Sequence, residues 1–256
     1  MPLARLFDDA NQQYLVATPA ILTAVPATLV AWFNVDNVTA GHVLVSLGSS
    51  IDSLNFMYLA AHGVLANDPV IANSGNETDK YAKTSVRFLA DTWHHAAGVF
   101  ATGSDRRAYI DGGGKGTNSK AQVPTNLDRT SIGVLEYKTV GLSHWGYVSG
   151  AVDHAAIWNV ALTDAEVLWL ARGRHGDGRP VLPPDVRPHA LVGYWPLDGD
   201  DQDYGKLTTY HMTPTNTPTW TGGPPRLIDT SRRRVWRAPA VAAARKQLIL
   251  GGGILG

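Results

Sequence analysis

TWHHAAGVFATGSDRRAYID, residues 92–111, is the stretch whose pattern decides the fold. In its first half the side chains alternate: Trp93, His95, Ala97 and Val99 lie on one side of an extended chain, and His94, Ala96 and Phe100 on the other. Thr102-Gly103-Ser104-Asp105 is a run of turn formers, and residues 106–111 resume the alternation. Two alternating runs joined by such a turn make a β-hairpin. Asp111-Gly112-Gly113-Gly114 then ends the second strand in a loop that calls for positive φ angles.

The same pattern extends outward. Residues 28–35 (TLVAWFNV), 43–47 (VLVSL), 130–135 (TSIGVL), 145–152 (WGYVSGAV), 154–158 (HAAIW) and 190–195 (ALVGYW) read as strands. Trp32, Trp93 and Trp158 fall at core-like strand positions. Short strands separated by Gly, Asn, Asp and Pro turns predict an all-β sandwich or jelly roll. One helix interrupts it. Thr163-Asp164-Ala165-Glu166 is a capping box, Val167, Leu168, Leu170 and Ala171 supply an apolar face, and Gly173 is the stop. Too short to stand alone, this helix is expected to pack on the sheet edge. Residues 174–189 form a Pro/Gly-rich connector, and the prolines of 207–220 confine any strand there to an edge.

Composition narrows the function classes. The chain has 256 residues and is 44% hydrophobic, enough for one large core. Charged residues are only 17%, which excludes a coiled coil or a charge-rich disordered chain, and no apolar run is long enough to span a bilayer. There is no cysteine, so disulfides, thiolate metal sites and cysteine nucleophiles are excluded. The first nine residues turn acidic before any hydrophobic region develops and do not read as a secretory signal. Charge is unevenly placed. Residues 226–256 hold seven basic residues against one acidic, a balance of +6, and the rest of the chain balances at −6. Arg232, Arg233, Arg234, Trp236 and Arg237 make this tail a candidate assembly anchor. One tryptophan among the arginines is a thin basis for nucleic-acid stacking, so nucleic acid is not the expected partner.

A resemblance to a known family is carried by a series of motifs: Trp93-His94-His95-Ala96-Ala97-Gly98-Val99, Ala108-Tyr109-Ile110-Asp111-Gly112, the stretch from Gly150 to Asn159, and Ala161-Leu162-Thr163-Asp164-Ala165-Glu166. With Asn11 to Val16 and Ala31-Trp32-Phe33 ahead of them, they cover residues 8–173 and resemble a laminin-G-like, concanavalin A-like jelly roll. This implies a core over 1–173, the connector at 174–189, returning strands over 190–225 and an anchor tail at 226–256. The segment from Ala190 to Asp198 resembles the opening strand of such domains, yet follows the helix. That order, with a basic tail, looks like laminin-G-like proteins encoded among phage structural genes.

The chemistry of the residues is weighed within that frame. The concanavalin A-like fold also hosts β-glucanases, whose laminarinase-type members carry Glu-x-Asp-x-(x)-Glu on one strand. Only Glu77, Glu136 and Glu166 are glutamates here, and no two lie within five residues of one another. No catalytic residues are assigned. His94 and His95 point to opposite faces of a strand and do not share an ion. Calcium is possible at Asp111, Asp198, Asp200 and Asp203, since it takes hard oxygen ligands. Tyr137, His144 and Trp145, around one loop, are the candidate glycan-binding residues, because sugar CH groups stack on rings beside polar groups.

The expected protein is therefore a non-catalytic virion subunit, a surface decoration or adhesion module with no membrane segment. It would be present in many copies, held to other virion subunits by its tail and binding cell-surface glycans weakly and multivalently. Two alternatives stay open: an architectural cement subunit without a ligand, and a carbohydrate-active hydrolase.

Overall fold

The computed structural model describes residues 3–53, 55–75, 80–174, 178–205 and 210–224. In chain order the strands are β1 (Leu3–Phe7), β2 (Tyr14–Ala17), β3 (Ala27–Val35), β4 (Gly41–Gly48), β5 (Phe56–His62) and β6 (Pro69–Ser74). They continue with β7 (Tyr81–Arg87), β8 (His94–Thr102), β9 (Asp105–Ile110), β10 (Gly113–Asn118), β11 (Arg129–Ile132) and β12 (Leu135–Lys138). After β13 (Leu142–Trp145) and β14 (Gly150–Trp158) come the helix α1 (Asp164–Arg172), β15 (Leu191–Trp195), β16 (Thr213–Thr215) and β17 (Thr219–Gly222).

The quoted hairpin is β8–β9, closed by Gly103-Ser104 between the paired Thr102 and Asp105. It belongs to a sheet of order β10-β9-β8-β3-β14-β1-β17, with β15 also on β14. The opposing sheet runs β16-β2-β11-β4-β5-β6-β7. This is the two-sheet jelly-roll sandwich. Leu29, Ala31, Phe33 and Val35 of β3 meet Val45 and Leu47 of β4 and Met57, Leu59 and Ala61 of β5 in the main core. A fully buried Leu or Phe contributes about 1.5–3 kcal/mol, and without disulfides this burial carries the fold.

Alternation on β8 feeds two cores. Ala96 and Phe100 enter the space between the sheets, whereas Ala97 and Val99 face outward with Val30, Tyr109, Ala156 and Trp158. Val167 and Leu170 of α1 pack on that outward set. The helix therefore lies across the outer face of the first sheet and not on its edge, because that face is itself apolar and needs a cover. Its capping box forms as the sequence predicts. Glu166 donates its amide to Thr163 Oγ1 at 3.3 Å, and the Thr163 amide donates to Glu166 Oε2 at 2.8 Å. Glu166 also accepts from Arg187 on the connector.

Three local readings are corrected. Residues 130–135 are not one strand: Gly133, at φ +90°, turns the chain between β11 and β12. Residues 145–152 and 154–158 are not two strands either, since Trp145 closes β13 and a single β14 starts at Gly150, whose φ is +131°. Of the three tryptophans, Trp158 is fully buried, but Trp32 and Trp93 are only half-buried, and Trp93 lies outside β8.

β14 bulges between Asp153 and Ala156. Along one edge, its first part pairs with β1 and its last part with β15, so the two strands divide that slot at the bulge. The proline-containing β16 is an edge strand of the second sheet, and β17 borders β1.

Glu166→Ala removes both the cap and the tie to the connector, and should lower the unfolding free energy by about 1–2 kcal/mol in chemical denaturation. Arg187→Ala, which deletes only a half-exposed ion pair, should lower it by well under that.

Candidate functional site

The outer face of the second sheet carries the most elaborate side-chain arrangement. Across its strands one register row places Ser131, Ser46, Tyr58, Asn73 and Tyr81 side by side. The β12–β13 hairpin is seated on this row. Ser46 Oγ donates to the Val134 carbonyl at 2.8 Å, and Ser131 Oγ donates to Glu136 Oε2 at 2.9 Å. The seat requires glycine below it: a Cβ on Gly48 would sit 1.8 Å from the Glu136 carbonyl oxygen. At Gly41 the missing side chain admits the Trp145 ring, whose Cζ2 would lie 2.9 Å from a Cβ there.

The hairpin registers Leu135 with Trp145, Glu136 with His144 and Tyr137 with Ser143. Opposed residues share a face, so the hairpin is a ridge with two different flanks. The β5 flank holds Leu135, Tyr137 and Trp145 against Val43, Phe56 and Tyr58. Tyr137 meets Phe56 edge-on at 5.6 Å, and Trp145 lies 5.5 Å from both Tyr58 and His62. Asn73 Nδ2 donates to the Tyr58 hydroxyl at 2.9 Å, and burial pushes that hydroxyl up to about 12, so it stays neutral. Tyr137, Trp145 and Tyr81 remain half-buried, with ring surface open to solvent.

The β2 flank is polar. Glu136, only 3% exposed, accepts from Ser131 and lies 3.2 Å from His144 Nε2. Tyr14 stands 5.4 Å from the His144 ring, and Tyr147 stacks on His144 at 6.0 Å. Burial, and then the Glu136 charge, raise the Tyr14 hydroxyl above its ordinary value and keep it protonated.

Of the residues expected to bind a ligand, Tyr137 and Trp145 thus come together, while His144 faces the other flank. Sequence reasoning missed Tyr58, Asn73, Tyr81, Tyr14 and Tyr147. The alternation of Phe56, Tyr58 and Ala60 in β5 is the signal that marks Tyr58 as facing outward.

The candidate calcium residues do not converge: among the described residues no three metal-ligating side chains form a group. Asp111 accepts from His94 Nδ1 at 2.8 Å and from the His95 amide at 2.9 Å. Burial opposes its ionisation, but these bonds hold it below the ordinary carboxylate value. His94 Nε2 in turn accepts from the Leu89 amide, which saturates that ring. Asp198 accepts from the Leu3 amide, Asp200 from Gln202 and Tyr204, and Asp203 from the Tyr194 and Gly205 amides. The tail residues Arg232, Arg233, Arg234, Trp236 and Arg237 lie outside the described residues.

A second recess lies on the outer face of the first sheet, between Trp32, His95, His154, Leu170, Val181 and Pro183. It has room for about one water. Beside it Asp153, 1% exposed, accepts from the His154 amide, and burial pushes its carboxyl up to about 8. His95 is lowered to about 4, again by burial.

Comparison with known proteins follows from this geometry. Residues 9–168 match the family model described as concanavalin A-like lectin/glucanases superfamily. Among solved structures, a native heptameric SAP-like pentraxin from Limulus polyphemus aligns over 86% of this chain and 94% of its own, at 14% identity and a TM-score of 0.57. A Bacteroides ovatus protein assigned to carbohydrate binding aligns over 89% of this chain and 62% of its own, at 15% identity and a TM-score of 0.55. No curated protein matches significantly.

The two buried groups beside the recess predict a pH profile. Asp153, raised from 3.8, favours the fold fully below pH 4, and that contribution is lost as pH rises towards 8. His95, lowered from 6.5, favours the fold above pH 6.5, a contribution lost as pH falls towards 4. Between 4 and 6.5 the two oppose each other; from 6.5 to 8 only Asp153 acts. Asp153→Asn should gain stability over the unaltered protein as pH rises from 4 to 8, with about 2 kcal/mol of that gain between 6.5 and 8. Denaturation curves at stepped pH read this difference, and a flat one would contradict it.

Proposed function

The chain belongs to the concanavalin A-like lectin/glucanases superfamily, and from that premise we propose that it is a non-catalytic glycan-binding jelly roll, displayed in many copies on the surface of a phage-like particle. The observation that carries the binding reading is the β5 flank of the ridge. Tyr137, Trp145 and Tyr81 offer half-open ring faces that are already packed against Phe56, Tyr58 and Gly41, so little side-chain freedom is lost when a sugar stacks on them. Asn73 stands in register between Tyr58 and Tyr81.

The carboxylates support a role without bond cleavage. Glycosidases set two acids across the scissile bond. Glu166 is committed to the helix cap and Arg187, and Glu136 to Ser131 and His144. Display on a particle rests on the charge of the C-terminal segment, +6 over residues 226–256, against an acidic remainder. Many copies on one scaffold turn weak single-site binding into firm attachment.

On a glycan array, the full chain should bind a subset of glycans. Trp145→Ala should weaken that binding by about five- to tenfold, since one lost stacking contact is worth roughly 1–1.5 kcal/mol. A blank array for the unaltered protein would replace this reading with that of a ligand-free cement subunit.

Deleting residues 226–256 should abolish incorporation into particles and leave array binding intact. Normal incorporation of the truncated chain would remove the anchor.

A further inference from the structure

Resting on the glycan-binding reading, we propose that the β2 flank of the ridge is a second subsite, which selects the carboxylate of an acidic sugar through Arg129. Arg129 stands on β11 opposite Gly48, the residue over which the Glu136 backbone crosses, and two residues before Ser131 on the same face. It is half-buried, and it makes no ion pair among the described residues. Its Nε is enclosed by the protein without an acceptor. With the enclosed Nε out of a ligand's reach, the terminal Nη1/Nη2 pair is the edge of the guanidinium that would grip a carboxylate in bidentate fashion.

The surroundings favour an acidic sugar over other ligands. Glu136 shares the flank, but its carboxylate is buried, turned to Ser131 and His144, and does not neutralise Arg129. Tyr14, His144 and Tyr147 form a cluster of rings, with Tyr14 and Tyr147 6.1 Å apart, which offers stacking surface for a pyranose, and Arg129 is near enough to act electrostatically on the Tyr14 hydroxyl. Both tyrosine hydroxyls are raised, chiefly by burial, and therefore stay neutral; that of Tyr14 donates to Glu136 Oε1 at 3.4 Å. A neutral sugar would leave Arg129 unpaired, and the ammonium of an amino sugar would be repelled by it. Among the described residues no cation lies over the rings of the β5 flank. The two sides of one ridge thus take different sugar residues.

The test compares a β-linked glucuronic acid trisaccharide with the glucose trisaccharide of the same linkage, by calorimetric titration of the full chain. The acidic trisaccharide should bind about tenfold more tightly. Arg129→Met should abolish that preference while leaving the affinity for the glucose trisaccharide unchanged. Arg129→Lys, which keeps the charge and loses the fork, should retain only part of the preference, and it decides the matter if Arg129→Met does not fold. Equal affinity of the unaltered protein for the two probes, or undiminished preference in both Arg129 variants, overturns the subsite and leaves the glycan-binding reading standing. Loss of all binding to both probes and to the array in the unaltered protein removes that reading and the subsite with it.

Discussion

The central strands of this protein are buried on both faces, and everything else is arranged to satisfy that constraint. Each residue of β14 after Gly150, and each residue of β4 after Gly41, is buried. Two sheets facing each other hide only one face of each. The remaining faces would present broad apolar surface to water, at about 25 cal/mol for each Å². The chain covers one with α1 and the Pro-rich connector and the other with the β12–β13 ridge. The first cover is nearly complete and leaves a recess the size of a water. The second is narrow and leaves aromatic rings partly open on either side. What distinguishes the ridge face from its counterpart is how incompletely it is roofed.

Much of this was legible in the sequence wherever side-chain period and turn chemistry act locally. The β8–β9 hairpin follows from alternation around Gly103-Ser104, and the helix start follows from Thr163 and Glu166. Readings failed where a longer-range contact decided. Nothing local separates residues 145–149 from a strand until Gly146, against Val43, and Gly150, against Asn34 and Val35, adopt positive φ. The sequence points the helix to an edge because the apolar outer sides of β3 and β14 become evident as a surface only when the strands are laid next to each other. Residues 56–62 and 69–74 are apolar enough for strands, yet the row that sets Tyr58 beside Asn73 exists only through register.

The candidate site was legible in part for the same reason. Tyr137, His144 and Trp145 are close in sequence, and proximity suggested one cluster. Pairing in the hairpin instead sends His144 to the side of Glu136 and Tyr14, and leaves Tyr137 with Trp145. The aspartates show the converse. A dense acidic segment, Asp198 to Asp203, reads as a possible ion site, but its carboxylates fasten the returning strand by accepting amides of Leu3, Tyr194 and Gly205.

The join between β1 and β17 has a mechanical consequence. Four paired positions, Leu3 to Leu6 against Thr219 to Gly222, link the two strands, and Arg5 secures them by lying 4.2 Å from the Trp220 ring while bonding Asp201. Tension applied from the C-terminal side of Pro224 reaches this short ladder before any other part of the described fold. Under load β17 would yield first, as a fuse, and the opposite sheet with its aromatic ridge would keep its shape.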